Sequence, residues 1–431
     1  MLFTLSKSFG QDENWTLNDC INYALEHNIQ VKKAQLSSQS YSVKADQAKA
    51  NRLPSASASV RQSFSFDKNQ DTQTGEYGSL AGSNSSNYSL NSSVTLFNGF
   101  KLQNELKQSN INLEASQYYT ETVKESVELN ILNAFLQVIY AQEQVKNAED
   151  QLNATTEELR YAKERFELSA ISKSDYLQIE SQLASEKLTL ATAQNQLSIS
   201  KVNLMQLMEL PLSDNFKVIS PDIDAQLQRN QDLSVSEIYT AALRIKPQIK
   251  NAFLATESAR IDTDIAKADL FPSLSMDASI GTDYTSLTEG TSYANQLNNN
   301  ISPGFGFTFS IPIFQKKQVK NNIALAKISA SDAQLDETDT RNQLRKEIEQ
   351  AYTDVLAARS EFLASKEKLQ AAEESFLLAE EKYNLGALNS VDFLFEKTNL
   401  ITAESELLQS KFNLVFSNKI IDYYKGTPLT L

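Results

Sequence analysis

Two kinds of hydrophobic spacing alternate along the chain. The first is a beat of seven: Val138, Val145, Leu152, Leu159 and Phe166 recur at that interval, with Ala134, Ala141, Ala148, Thr155 and Ala162 keeping step beside them. The second has period two. Leu274, Met276, Ala278 and Ile280 are separated by Ser, Asp and Ser, and Phe305, Phe307, Phe309, Ile311 and Ile313 alternate in the same way. A heptad stripe is the seam of a coiled coil, and one large plus one small residue per heptad lets a neighbouring helix seat its large side chain over the small one. A plain amphipathic bundle helix is the alternative. Alternation over about ten residues marks a strand with one apolar and one polar face. The heptad segments run over about 101–168 and 317–385, with no Pro and no Gly in their interiors. At 1.5 Å per residue each predicts a helix about 100 Å long.

Both patterns occur twice. The stretch FELSAISKSDYL (166–177) returns 217 positions later as YNLGALNSVDFL (383–394). At nearly the same offset ALEHNIQV falls on ALRIKPQI, LPSAS on FPSLS, LFNGF on IFQKK, and Pro211-Leu212 on Pro428-Leu429. Val355, Phe362, Leu369, Phe376 and Tyr383, with Ala351, Ala358, Ser365, Ala372 and Ala379, repeat the heptad register. The chain therefore reads as two copies of one unit, 17–210 and 233–431, joined by a linker at 211–232 and preceded by a segment 1–16. Each copy is predicted as helix, strand, strand, long helix, turn, helix. The first helix spans about 17–52 and stops before Pro54; its counterpart ends at Leu270, before Pro272. The strands are expected at about 55–66, 88–97, 273–284 and 304–314, with polar, solvated loops between them.

Composition narrows the chemistry. One Cys (Cys20) and one His (His27) cannot build a disulfide framework or a Cys/His metal site. His27 lies in a predicted amphipathic helix, where a partly exposed structural role fits better than catalysis. No glycine-rich phosphate loop or triad is visible, so neither an enzyme nor a cofactor is expected. The formal charge of −14 argues against nucleic acid. No apolar run is long enough for a transmembrane helix, which leaves a soluble, surface-bound or β-barrel protein. Within 1–16, SFG before Gln11 resembles a small-residue cleavage site, so this segment is either a signal-peptide remnant or an ordinary N-terminus. Asn18-Asp19 before Cys20 is not a lipobox.

Four amphipathic strands per chain cannot close a barrel alone and would leave two open edges. Copies in a ring would close it, eight strands from a dimer with a filled interior and twelve from a trimer with a wet lumen. Strands of about ten residues also match a tilted crossing of a bilayer.

In the order and spacing of these landmarks, from WTLNDCINYAL to YYKGTPL, the chain resembles the TolC-like outer-membrane efflux ducts. The resemblance implies a mainly α chain: a coiled-coil helical barrel in the periplasm and a 12-stranded β-barrel in the outer membrane, assembled as a homotrimer. It implies docking to a periplasmic adaptor protein and an inner-membrane transporter, and export of drugs, ions or polypeptides. It implies a reduced belt around the middle of the tube, because the chain ends soon after Pro428. It also implies a use for the repeated turn: each half makes one helical hairpin whose bend lies at the periplasmic tip. There the duct closes at rest, and Leu168, Ser169, Ala170, Leu385, Gly386 and Ala387 would meet the adaptor. Tyr383 and Asp392 match the family's closing bonds and acidic ring, and Asp175 its first-half acidic partner. Leu388 stands where the constriction has an arginine and Phe395 where a second ring aspartate is found, although Glu396 is adjacent, so the closure expected here is apolar.

Asp175 and Asp392 also read as plain helix caps, in SKSD (172–175) and NSVD (389–392), and Gly386 as a left-handed C-cap. Small-molecule efflux is the leading function. Type I polypeptide secretion and a non-membrane structural coiled coil are the alternatives.

Overall fold

The structure, a computed structural model, describes residues 14–68, 75, 77–213, 215–227 and 234–430. The first half comprises β1 (Asn14–Trp15), α1 (Leu17–His27), α2 (Ile29–Ala50), β2 (Ser55–Asp67), β3 (Ala81–Asn98), α3 (Lys101–Glu167) and α4 (Lys173–Met208). β4 (Lys217–Val218) and α5 (Ile223–Leu227) follow. The second half comprises α6 (Val235–Ile245), α7 (Pro247–Ala268), β5 (Ser273–Thr285), α8 (Tyr293–Asn299), β6 (Ser302–Ser310), α9 (Gln318–Asn384) and α10 (Ser390–Lys425). In each half, helices of 11, 22, 67 and 36 residues follow one another in that order.

The single helix expected over 17–52 is two helices. Asn28 leaves helical geometry (φ −59°, ψ 131°). Its Oδ1 accepts from the Gln30 amide at 2.8 Å and its Nδ2 donates to the Leu207 carbonyl at 2.9 Å, so one side chain caps α2 and ties the bend to α4. In the second half Lys246 breaks the helix, because the following Pro247 disfavours helical geometry before it. The buried Lys246 ammonium lies 3.2 Å from Glu125 and 3.0 Å above the centre of the Tyr423 ring. Burial pushes its pKa down, and Glu125 works against that shift.

The four long strands form one antiparallel sheet in the order β2-β3-β5-β6. Register places Leu274, Met276, Ala278 and Ile280 beside Phe309, Phe307, Phe305 and Pro303 on one face, which Val94, Leu90 and Val60 continue. The other face carries Ser57, Ser59, Ser63, Ser89, Asn91, Ser93, Ser275, Ser279 and Thr308, with Arg61, Asp67, Asp277 and Asp283 as its charges. Its hydroxyls pair across strands, Ser59 with Ser89 and Ser65 with Ser83, both at 2.8 Å.

Strand bounds differ from expectation in two places. β3 begins at Ala81 rather than 88, because the Ser/Asn run read as loop is paired with β2. β6 stops at Ser310 rather than 314, since Pro312 has no N–H to give a ladder. Ile311, Ile313 and Phe314 therefore lie beyond it. Part of the first loop (69–74 and 76) lies outside the described residues, and the second loop contains α8. Where LFNGF turns into α3, Gly99 has φ +66°, and a Cβ there would come within 2.4 Å of the Ala268 carbonyl oxygen.

The chain forms two compact units, each drawn from both halves. One takes the described residues up to Leu36 with Gln117–Lys250 and Thr338–Leu431; the other takes Ser37–Ser116 and Asn251–Glu337. The first unit has two apolar clusters. Trp15, Leu17, Ile21, Ile131, Phe135, Leu204, Met208 and Phe216 belong to one; Ile238, Ile249, Leu344, Ile348 and Ile421 to the other. Of the segment 1–16, residues 1–13 lie outside the described residues, whereas Asn14–Trp15 pair in parallel with Lys217–Val218 of the expected linker. Burial pushes the pKa of the Cys20 thiol up to about 12, with Asp19 adding to the shift, which leaves it unreactive. His27 is half-buried, stacked on Tyr23 at 4.0 Å with Nδ1 3.0 Å from the Tyr23 carbonyl oxygen. The small heptad positions Ala141, Ala148, Thr155, Ala162, Ala351, Ala358, Ser365 and Ala379 are buried, and Ala372 is half-buried.

Candidate functional site

The two copies of the repeated turn join α3 to α4 and α9 to α10. Each long helix ends in the same backbone device. Ser169 N–H donates to Phe166 O and Ala170 N–H to Arg165 O; Gly386 N–H donates to Tyr383 O and Ala387 N–H to Lys382 O. This double closure needs a left-handed residue, with φ +58° at Ser169 and +74° at Gly386. Gly386 meets that demand without strain, whereas Ser169 adopts it against its own side chain. Leu168 and Leu385 project beyond these caps, 80% and 77% exposed. Ala170 and Ala387 are exposed with them.

The next helices start on side-chain caps. Ser172 and Asp175 make a full capping box: Ser172 Oγ accepts from Asp175 N–H at 3.1 Å, and Asp175 Oδ2 accepts from Ser172 N–H at 3.2 Å. At α10 only half of that box forms. Asn389 Oδ1 accepts from Asp392 N–H at 2.9 Å, but the Asp392 carboxylate receives the Asn389 side-chain amide, also at 2.9 Å.

Asp175 has a further partner, which links the turns. The buried Ser390 hydroxyl donates to Asp175 Oδ1 at 2.5 Å and lies against the Gln178 side-chain amide. Hydrogen bonds from Ser390 and then Ser172 hold the Asp175 carboxyl below the usual carboxylate range. Tyr383 stacks on Phe393 at 4.5 Å with the rings 12° apart, and the Arg165 guanidinium stands 5.5 Å from the centre of its ring. Burial pushes the Tyr383 phenol pKa up, and Arg165 opposes the shift. Ser390 on Asp175 and Arg165 on Tyr383 thus tie the ends of the two hairpins together, while Tyr383 on Phe393 packs the second hairpin against itself. Leu388 is half-buried, Asp392 is exposed, and Phe395 is 63% exposed. Glu396 accepts from Ser375 Oγ at 3.0 Å.

A second cluster was not legible in the sequence. Lys397, its side chain 6% exposed, donates from Nζ to both oxygens of Glu158 at 2.9 Å and to Thr155 Oγ1 at 2.5 Å. It also lies 3.8 Å from Glu186 Oε1, whose side chain is 5% exposed. One ammonium thus faces two carboxylates. Gln182 Nε2 donates to Glu186 Oε1, while Glu186 Oε2 has no hydrogen-bond partner. Burial pushes the Glu158 carboxyl pKa up; Lys397 lowers it, and Glu186 and Glu380 raise it further. These charges are isolated in the sequence and meet only because three helices pack together, so no spacing announces them.

Comparison with known proteins gives a consistent result. The profile of a family described as Outer membrane efflux protein matches residues 20–209 and 238–417. The Outer membrane efflux protein BepC of Brucella suis biovar 1 is 21% identical over 323 residues, covering 75% of this chain and 68% of its own. Toxin and drug export protein A of Aggregatibacter actinomycetemcomitans is 20% identical over 399 residues, covering 93% and 83%. The fold superimposes on a crystal structure of CusC, solved in work on transmembrane channel formation, with TM-score 0.82 at 18% identity, covering 98% of this chain and 96% of the other.

Proposed function

Because the chain belongs to the family of outer membrane efflux proteins, we propose that three copies, with their sheets in the outer membrane and their helices in the periplasm, form a passive duct that exports small molecules. Each copy would give four strands to a 12-stranded barrel and its long helices to a periplasmic conduit. An inner-membrane transporter would supply the energy, and a periplasmic adaptor protein would dock on the turns at Leu168–Ala170 and Leu385–Ala387. The observation that carries this reading is the sheet: one apolar face, one hydroxyl-rich face and two unpaired edges, on a chain with two pairs of long helices. Polypeptide secretion is the second reading, favoured by a relative whose name joins toxin to drug export.

Asp175, Tyr383, Leu388, Asp392 and Phe395 are proposed as the gate. Half-buried Leu388 and exposed Phe395 would give it an apolar lining, and Asp392 an acidic ring where three copies converge. Mass measurement in detergent tests the assembly; a stable monomer would overturn it. Planar-bilayer recordings of Asp392→Asn test the ring. Loss of cation preference with unchanged thermal stability is expected. Unchanged selectivity would leave Asp392 as a helix cap alone.

A further inference from the structure

The apolar face of the sheet changes character along its length. Nearest the helices it carries Leu274 and Phe309, then Met276 and Phe307, Ala278 and Phe305, and Ile280 with Leu90. One pair further on, between β3 and β5, the same face turns polar and aromatic, Tyr88 opposite Thr282 and then Ser86 opposite Tyr284, while β2 at its edge carries Phe64 and Phe66 beyond that level. The short helix α8 lies over this last stretch. Thr282 Oγ1 donates to the Leu297 carbonyl at 2.5 Å, and Tyr284 packs against the Tyr293 ring at 4.6 Å. The hydroxyls of Tyr88 and Tyr293 meet at 2.7 Å. Gln296, buried beneath the helix, accepts from Thr285 N–H at 3.0 Å and donates to the carbonyls of Thr285 and Thr291. These bonds fix α8 on the face that carries the phenylalanines, not on the hydroxyl face.

We propose that α8 and the tyrosines under it are this chain's contact with the headgroup layer on the outer side of the membrane. The inference rests on the barrel reading, which turns the phenylalanine face towards lipid. Ten residues separate Leu274 from Tyr284, about 34 Å along a strand, or about 24 Å of depth at a 45° tilt. That depth matches an apolar band about 25 Å tall, bordered by aromatic girdles. Tyr side chains favour such borders, because the ring stays in the apolar layer while the hydroxyl reaches polar groups. Between Tyr293 and Asn299, α8 has Ala, Asn, Gln and Leu but no charged side chain. The surface it fits is therefore a layer of hydrogen-bonding headgroup oxygens, read without ion pairing.

Nitroxide labels on single-cysteine variants reconstituted in vesicles of zwitterionic phospholipid test this. Buried Cys20 does not compete for the label. Collision with oxygen against a water-soluble nickel chelate reports depth. The Phe307→Cys label is expected in the hydrocarbon and the Ser89→Cys label in water. The Ala294→Cys label is expected between them, at headgroup depth, with broadening by a nickel-chelating lipid that leaves the Ser89→Cys label unaffected. An Ala294→Cys label indistinguishable from Ser89→Cys, with Phe307→Cys still in hydrocarbon, overturns the proposal and spares the barrel. A Phe307→Cys label in water overturns both.

Discussion

Lys397→Met keeps most of the side chain's bulk and deletes its charge. Glu158 and Glu186 then face the space the ammonium occupied, with Glu186 still enclosed and its Oε2 still without a hydrogen-bond partner. Removing one member of a fully buried ion pair costs about 3–5 kcal/mol, because the remaining charge cannot recover its hydration. The Glu158 side chain is 24% exposed, which admits water to one carboxylate, so the lower end, about 3 kcal/mol, is expected. The loss must also depend on pH. Burial already holds the Glu158 pKa above its ordinary 4.5, and deleting Lys397 removes a group that lowered it. A carboxyl whose folded pKa is raised stabilises the fold below its unfolded value, and loses that contribution as pH rises through the folded value. The deficit of Lys397→Met should therefore be largest above neutral pH and shrink as pH falls towards the unfolded carboxylate value. Thermal unfolding of the detergent-solubilised protein, followed by circular dichroism at about pH 8 and about pH 5, measures both terms. Adding Glu158→Gln should recover part of the loss at the higher pH. Equal unfolding temperatures for variant and parent, or a deficit independent of pH, would refute the account of Lys397 as the neutralising partner of two enclosed carboxylates.

Two further outcomes follow from the helix ends and seams. Ser169→Gly should stabilise the first turn by about 0.5 kcal/mol, because relief of the left-handed strain outweighs the added freedom of the unfolded chain, whereas Gly386→Ala should cost about 1 kcal/mol; denaturant unfolding of both variants reads the two signs. Changing Ala358 and Ala372 to Leu should cost about 1–3 kcal/mol per site through overpacking, with the buried Ala358 the more costly; a thermal stability equal to or above the parent's would remove both from the seam.

What could be read in advance was what recurs locally. The heptads marked Ala141, Ala148 and Ala358 as seam positions, and those side chains are buried. The caps at Ser172 and Asn389 were visible because capping is settled within four residues. The break at Asn28 was missed because it depends on the distant Leu207 carbonyl; the break at Lys246 was missed although its cause, Pro247, is its neighbour in the sequence. The extra length of β3 was hidden because Ser and Asn favour turns unless a neighbouring strand pairs with them. At the tip, Asp175 was singled out, but Ser390, 215 positions away, carries no pattern of its own.

The hydroxyl-rich face of the sheet has a consequence for whatever moves past it. A serine hydroxyl turns freely and can give or receive a hydrogen bond. Pairs such as Ser59–Ser89 and Ser65–Ser83 share one hydrogen bond and keep a donor and lone pairs to spare, so the surface can bond water or a solute alike. With Arg61 set against Asp67, Asp277 and Asp283, its charge is net acidic, which would favour cations over anions. In the proposed barrel such a wall would offer a passing solute much the same hydrogen bonds that water offers. Uncharged cargo would neither stick nor be turned away there, and its selection would fall to the machinery that loads the duct at its other end.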